Sequence, residues 1–145
     1  YLPAPGIVGS EGALRILLED PYVKEAVDLF DRVTLALVGI GTVEPSKLLN
    51  LSGNVFSQVE QDALRRSGAV GDILMRFFDR LGRPVDTPFN QRVISMSLEQ
   101  LRRVERSVAV AGGERKYEAI HAALLGGWIN ILITDHLTAE KLVTN

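Results

Sequence analysis

The clearest indication of the fold is the segment Ser107-Val-Ala-Val-Ala-Gly-Gly-Glu-Arg-Lys116. A β-branched, apolar run ends in two glycines, and a helical pattern follows over residues 117–125. This order predicts a buried parallel strand, a tight turn and a helix whose first amides point into a cleft. Free N–H groups and the helix dipole attract anions at such an end, and Lys116 adds a positive charge there. The stretch therefore predicts a site for a phosphorylated or polyhydroxylated small molecule.

Two other segments have the same strand-like character. Residues 34–38 are apolar at nearly every position, which predicts a strand with both faces covered, followed by the loop Gly39-Ile-Gly-Thr42. Residues 128–134 predict another strand, after which Asp135 or Thr138 can cap a last helix. Because ligands bind at the carboxyl ends of parallel strands, the loops that follow these strands are candidate binding loops.

The remaining segments alternate between helical and strand-like patterns. Helices are predicted for residues 10–20 and 21–32, and capping-box patterns start two more, at Ser57-x-x-Glu60 and at Ser97-x-x-Gln100. Other predictions are an irregular or briefly helical segment at 45–54, a hairpin from strand 73–78 through a turn at 79–82, and a short strand at 93–96. The whole pattern predicts an α/β fold: a mostly parallel, Rossmann-like sheet flanked by helices, with an inserted hairpin.

Composition limits the classes of function. With 145 residues, 46% of them hydrophobic and 23% charged, the chain forms about one globular domain. A net charge of −2 and scattered basic residues argue against direct binding to nucleic acid. The absence of cysteine excludes disulfides, zinc–thiolate sites and cysteine catalysis, and it fits the cytoplasm.

The ends of the chain and its apolar runs bear on localisation. No apolar run reaches the length of a membrane span, so we expect no contact with membranes. The chain opens on Tyr1-Leu-Pro-Ala-Pro5 without a basic region, and we therefore expect no signal peptide. This opening also suggests a cut into a longer protein.

Three loop motifs each leave two interpretations open. Gly39-x-Gly41 is weak as a nucleotide motif; it is either a turn that needs positive φ or backbone that a ligand approaches closely, with the Thr42 hydroxyl beside it. Gly112-Gly113-Glu-Arg-Lys116 is either an anion site or a simple strand-to-helix turn with a solvated lysine. Asp72, between glycines and an apolar strand, either bonds loop amides or accepts hydrogen bonds from sugar hydroxyls or a lysine.

Other signs of catalysis or of metal binding are missing from the sequence. His121 and His136 have no metal-ligand spacing to a second histidine or a carboxylate pair, so we predict no metal site. No serine lies in a nucleophile-elbow pattern. We predict no cofactor and no catalytic residue.

Seven motifs, in order, resemble the effector-binding domain of SorC-type bacterial transcriptional regulators, which respond to sugars. They are Tyr1-Leu-Pro-Ala-Pro5, Ala36-Leu-Val-Gly-Ile-Gly-Thr42, Gly68-Ala-Val-Gly-Asp-Ile73, Arg76-Phe-Phe-Asp79, Gly82-Arg-Pro-Val-Asp86, Ala109-Val-Ala-Gly-Gly113 with Lys116, and Leu132-Ile-Thr-Asp135 with Thr138-Ala139. The resemblance covers nearly the whole chain.

The resemblance implies a fold similar to sugar-phosphate isomerases and CoA transferases, and a phosphorylated sugar as effector. Its sugar-contacting acid falls on Asp72, with Leu74 close by, and its contacting lysine falls on Lys116. The loops at Gly39 to Thr42 and at Gly112-Gly113 line the same cleft.

The resemblance further implies that residues 1–145 are one partial effector-binding domain without the helix-turn-helix of the full regulator. DNA is then contacted only through that missing N-terminal domain. The domain assembles as a homo-oligomer, a dimer or a tetramer, and effector binding changes assembly and DNA affinity. The alternative is an enzyme of the same fold, a sugar-phosphate isomerase or deaminase, with Asp72 or Glu114 as general base.

Overall fold

The structure of the chain is a computed structural model that describes residues 1–44 and 57–144. The segment predicted to be irregular or briefly helical, residues 45–54, lies outside the described residues.

The described residues form six α-helices and six strands. The helices are α1 Glu11–Glu19, α2 Pro21–Asp28, α3 Gln58–Arg66, α4 Leu98–Arg103, α5 Tyr117–Leu125 and α6 His136–Thr144. The strands are β1 Leu35–Gly39, β2 Gly41–Thr42, β3 Ala69–Ile73, β4 Arg76–Asp79, β5 Arg106–Val110 and β6 Ile131–Ile133. Short 3₁₀ turns occupy Phe30–Arg32, Pro88–Arg92 and Glu114–Lys116.

The strands form two sheets of three strands each. The first is parallel, in the order β1-β5-β6, and the second is antiparallel, in the order β2-β3-β4. The α/β fold with a parallel sheet and flanking helices is therefore confirmed. The predicted loop at Gly39 to Thr42 is partly wrong, because Gly41–Thr42 pairs with β3 and joins the second sheet.

Helix starts follow the local capping chemistry of the sequence. Both predicted capping boxes form: Ser57 with Glu60 at α3, and Ser97 with Gln100 at α4. Asp135 accepts a hydrogen bond from the Thr138 amide at 3.0 Å and caps α6. Each such cap typically stabilises a helix by about 1 kcal/mol.

The predicted hairpin is partly wrong, because the strand predicted at 73–78 is broken by an earlier turn. Strands β3 and β4 are joined at Leu74 and Met75, which have φ values of 55° and 62°. Left-handed backbone is unusual for such side chains, so the sequence carries no turn signal there. Residues 79–82 do turn, and the chain then returns in a single bridge between Phe78 and Pro84.

Residues 93–96 do not form the predicted strand. Within the described residues this segment makes one bridge, between Ile7 and Val93. The guanidinium of Arg76 donates to the carbonyls of Val93 (3.2 Å) and Ser95 (3.3 Å). A side chain thus satisfies carbonyls that a neighbouring strand would otherwise pair, and the segment is held without a ladder.

One face of the parallel sheet packs on the core and the other is open. Val38 and Ala109 point inward, against Ile120 of α5 and Leu101 of α4 in one apolar cluster. The prediction that both faces are covered is wrong within the described residues, because the outward face keeps large apolar side chains exposed. These are Leu35, Leu37, Val110, Ile131 and Ile133, with Leu37 at 71% exposure.

Candidate functional site

Asp72 is positioned by the antiparallel sheet. It lies in β3 opposite Gly41, and its side chain is half-buried. Its Oδ2 accepts a hydrogen bond from the Met75 amide at 3.0 Å, across the hairpin turn. A methyl group added at Gly41 would collide with the Asp72 carboxylate, so a glycine is needed there to make room for the acid.

The environment of Asp72 disfavours its charge. Burial raises the pKa of Asp72 to about 6, although the Met75 amide and the positive charge of Lys116 both oppose the rise. Any further hydrogen-bond donor would stabilise the ionised form of this half-buried carboxylate.

Lys116 reaches the same place from the parallel sheet. It ends the 3₁₀ turn Glu114–Lys116 and precedes α5. Its Nζ donates to the carbonyl of Ile40 at 2.8 Å. Ile40 is the single residue between β1 and β2, directly before Gly41. The ammonium group therefore lies at the junction of the two sheets.

A close contact between β3 and α5 brings the acid and the amine together. The backbone of Gly71 lies against Ala119, and a side chain at Gly71 would overlap the Ala119 methyl group. Because Gly71 precedes Asp72 and Ala119 follows Lys116 by less than one turn, this contact sets the two charged residues side by side. Their charges interact, but they form no direct ion pair.

The other predicted residues of the first two loops have different surroundings. Gly39 is exposed at the end of β1, with open space around its Cα. Neither Gly39 nor Gly41 has positive φ, so the interpretation of this loop as a positive-φ turn is wrong. Thr42 donates its hydroxyl to the Glu44 carbonyl at 3.1 Å. Leu74 is half-buried at the hairpin turn, and its carbonyl accepts from the Ser95 hydroxyl at 2.8 Å.

The glycine pair after β5 is exposed but tied to the next loop. Gly112 and Gly113 follow β5 at the carboxyl edge of the parallel sheet. The Gly113 amide donates to the Asp135 carboxylate at 2.7 Å. At this point the anion bound to the backbone is thus one of the protein's own carboxylates. An effector anion at the following amides stays a prediction.

Three groups of this site were missed by the sequence analysis. They are the Ile40 carbonyl, the Met75 amide and the carboxylate of Asp135 in its contact with Gly113. The first two are backbone groups, which no side-chain pattern identifies. Asp135 was one of the two predicted helix caps, but its partner Gly113 is 22 residues away in the sequence.

The described residues offer neither a metal centre nor a membrane span. Within residues 1–44 and 57–144, no three histidine, cysteine or acidic side chains come together as metal ligands. None of the helices that the structure describes combines the length and the apolar character needed to span a bilayer.

Comparisons with known proteins agree on one class. The Sugar-bind family model, which describes a sugar-binding domain, matches residues 1–144. The deoxyribonucleoside regulator of Bacillus subtilis is 38% identical over 145 residues, which are 100% of this chain and 46% of that protein.

Solved structures of regulators have the same fold. A DeoR family transcriptional regulator from Listeria monocytogenes superposes with a TM-score of 0.90 at 32% identity, covering 98% of this chain and 57% of the other. The full-length sorbitol operon regulator SorC from Klebsiella pneumoniae gives a TM-score of 0.86 at 31% identity, covering 96% and 45%. The chain thus spans about half the length of the relatives it matches.

Proposed function

Because the chain belongs to the family of sugar-binding domains that SorC-type transcriptional regulators carry, we propose that it senses an effector sugar or sugar phosphate. The effector binds between Asp72 and Lys116, at the junction of the two sheets. In the intact regulator, binding changes DNA affinity and oligomeric assembly, and DNA is contacted by sequence outside this chain.

One observation carries this proposal: a half-buried carboxylate and an ammonium group lie side by side without pairing directly. Sugar hydroxyls donate to the carboxylate of Asp72, and a phosphate or hydroxyl oxygen accepts from Lys116. Hydrogen bonds to charged groups contribute roughly 1.5–3 kcal/mol each to binding. Two such bonds therefore account for a large part of a micromolar affinity, which is about 8 kcal/mol.

The names of the relatives indicate the class of effector. One relative is called a deoxyribonucleoside regulator and another a sorbitol operon regulator. A polyhydroxylated carbon chain, phosphorylated at one end, offers both the hydroxyl donors and the anion that the site can use. Such an effector regulates only if it binds one assembly state more tightly than another.

Calorimetric titration of the intact protein tests this site. The probes are ribose 5-phosphate, 2-deoxyribose 5-phosphate and sorbitol 6-phosphate, with sorbitol and inorganic phosphate for comparison. We expect Lys116→Ala to weaken the tightest-binding sugar phosphate at least tenfold, because the variant loses a charge-assisted hydrogen bond.

Lys24→Ala is the matched control, since Lys24 is an exposed lysine on α2 and its loss changes the net charge equally. Equal affinities of the Lys116→Ala variant and the unmodified protein for the tightest-binding probe would refute the site.

An enzyme of the same fold is the second candidate, and the pKa of Asp72 favours it. A carboxylate with a pKa of about 6 is suited to act as a general base near neutral pH. Incubation with the same sugar phosphates separates the two functions. A sensor shows saturable thermal stabilisation without product, whereas an isomerase or deaminase releases product. The relatives reported above are named as regulators, which supports the sensor.

A further inference from the structure

Asp135 is exposed, yet both oxygens of its carboxylate accept hydrogen bonds. Oδ2 accepts from the Gly113 amide and from the Thr138 hydroxyl, both at 2.7 Å. Oδ1 accepts from the Thr138 amide at 3.0 Å. The Thr138 hydroxyl oxygen also accepts from the Gly113 amide, at 3.2 Å. Gly113, Asp135 and Thr138, the last of them in α6, are thus joined in one closed network.

The surroundings are built for this network. Gly112 has no side chain, and a methyl group there would collide with the Asp135 carboxylate. Thr138 is buried, with 4% of its surface exposed. Hydrogen bonds from Thr138 and Gly113 lower the pKa of Asp135 to about 2, so the carboxylate stays ionised at neutral pH.

The backbone of Gly113 links this network to the proposed effector site. The Gly113 amide is held by Asp135, and the Gly113 carbonyl accepts from the Lys116 amide at 2.9 Å. The side chain of Lys116 in turn reaches the Ile40 carbonyl. The carboxylate therefore fixes the backbone from which Lys116 extends, although it lies in a different loop.

We propose that Asp135, together with Thr138, is a positioning residue of the effector site: it clamps the Gly112-Gly113 turn so that Lys116 points at the sheet junction. This inference rests on the proposed function. The clamp does not touch the effector, and it acts only through Lys116.

A double-mutant cycle in the intact protein tests the clamp. The probe is 2-deoxyribose 5-phosphate or sorbitol 6-phosphate, whichever the unmodified protein binds more tightly. We expect Asp135→Asn to weaken binding about tenfold, since one accepting oxygen becomes a donor that faces other donors. In the Lys116→Ala background the same change should cost less than twofold, because residues that act through one another are not additive.

Conservative variants and a ligand-free measurement complete the test. Thr138→Val should weaken binding of the sugar phosphate. Thr138→Ser, which keeps the hydroxyl, should bind it as tightly as the unmodified protein does. Glu140→Gln is the charge-matched control, because Glu140 is an exposed acid on the same helix. Without any sugar phosphate, hydrogen exchange at the amides of Gly113 and Lys116 should be faster in Asp135→Asn than in that control.

The outcomes separate the clamp from the site. If Lys116→Ala weakens binding but Asp135→Asn does not, the clamp is wrong and the effector site stands. The clamp is also overturned if Asp135→Asn costs the same in both backgrounds, or if exchange at the Lys116 amide is unchanged. If neither Lys116→Ala nor Asp135→Asn alters binding, the proposed effector site itself fails.

Discussion

At the scale of single residues, Asp72 combines burial with an incomplete set of partners. Within the described residues its carboxylate accepts one hydrogen bond, from the Met75 amide, and it lies near the charge of Lys116 without a direct ion pair. A carboxylate in this state destabilises the ligand-free protein, and a hydrogen bond from a ligand reduces that cost. This is the behaviour expected of a binding residue rather than of a residue kept for stability.

The pH dependence of binding follows from the raised pKa of Asp72. The ionised carboxylate accepts sugar hydroxyls and the protonated form accepts fewer, so affinity should fall as the pH drops through about 6. Titrations of the chosen sugar phosphate from pH 7.5 to pH 5 measure this fall. Asp72→Asn is the control, because the phosphate of the probe titrates equally in both proteins. A fall of the same size in Asp72→Asn would assign the effect to the probe.

The same pKa predicts an opposite effect on stability. An acid whose pKa is higher in the folded state than in the unfolded state opposes folding when ionised. The cost shrinks as the pH falls below the folded value and is gone below the unfolded value. Asp72→Asn should therefore melt at a higher temperature than the unmodified protein at pH 7.5, with the difference vanishing near pH 4. Thermal unfolding without any sugar measures this. A lower melting temperature at pH 7.5 would show that the charge stabilises the fold.

Residue roles were predictable where a motif marks them and unpredictable where the partner is distant. Asp72 and Lys116 were both singled out from the sequence, and the structure places them side by side. The acceptor of Lys116 was missed, because the Ile40 carbonyl is 76 residues away and belongs to the backbone. The sugar-binding role of all these residues stays a prediction.

At the scale of elements, two glycines hold the sheets and α5 at the distances that the site requires. Gly41 makes room for Asp72, and Gly71 lets β3 lie against Ala119. Gly39, by contrast, has open space around it and ordinary backbone. The three glycines of this region thus differ in the reason for their presence.

Alanine substitutions should separate these reasons. Gly71→Ala and Gly41→Ala should lower stability, by about 1–3 kcal/mol as for other overpacked positions, because a methyl group has no room at either. Gly39→Ala should leave stability unchanged within about 0.5 kcal/mol. If Gly39→Ala nevertheless weakens sugar-phosphate binding, Gly39 lines the cleft. Urea unfolding and calorimetry of the intact protein measure both quantities, and a stable Gly71→Ala would contradict the close packing of β3 on α5.

Elements were predictable to the extent that their signals are local. Helices α3, α4 and α6 begin at capping side chains within three residues of their partners, and all three starts were predicted. The turn between β3 and β4 was missed, because Leu74 and Met75 adopt left-handed backbone without glycine or asparagine. The strand predicted at 93–96 does not form, because the guanidinium of Arg76, distant in sequence, donates to the carbonyls of Val93 and Ser95.

At the scale of the whole molecule, the parallel sheet has one uncovered face. Three adjacent strands present exposed Leu37, Val110 and Ile133 on the side away from the core. Parallel sheets normally carry cover on both faces, and the relatives contain about as much sequence again outside the region they share with this chain. The apolar pattern of the strands predicted cover on both faces, but nothing within the described residues covers this one.

The open face predicts how the 145-residue chain behaves in isolation. Exposed apolar patches promote association, so the isolated 145-residue chain should self-associate and bind a hydrophobic dye. Leu37→Glu should reduce both effects in the isolated chain, and Leu137→Glu, at a similarly exposed leucine on α6, should not. Analytical ultracentrifugation measures the association. A monomeric isolated chain with no dye binding would contradict this description of the face.

A crystal structure of the intact protein with its tightest-binding sugar phosphate would show directly whether the effector binds between Asp72 and Lys116. We expect hydroxyl groups of the sugar within hydrogen-bond distance of the Asp72 carboxylate, and the Lys116 ammonium on an oxygen of the same molecule. A sugar phosphate bound elsewhere, with Lys116 still on the Ile40 carbonyl and Asp72 contacting only the Met75 amide, would contradict it.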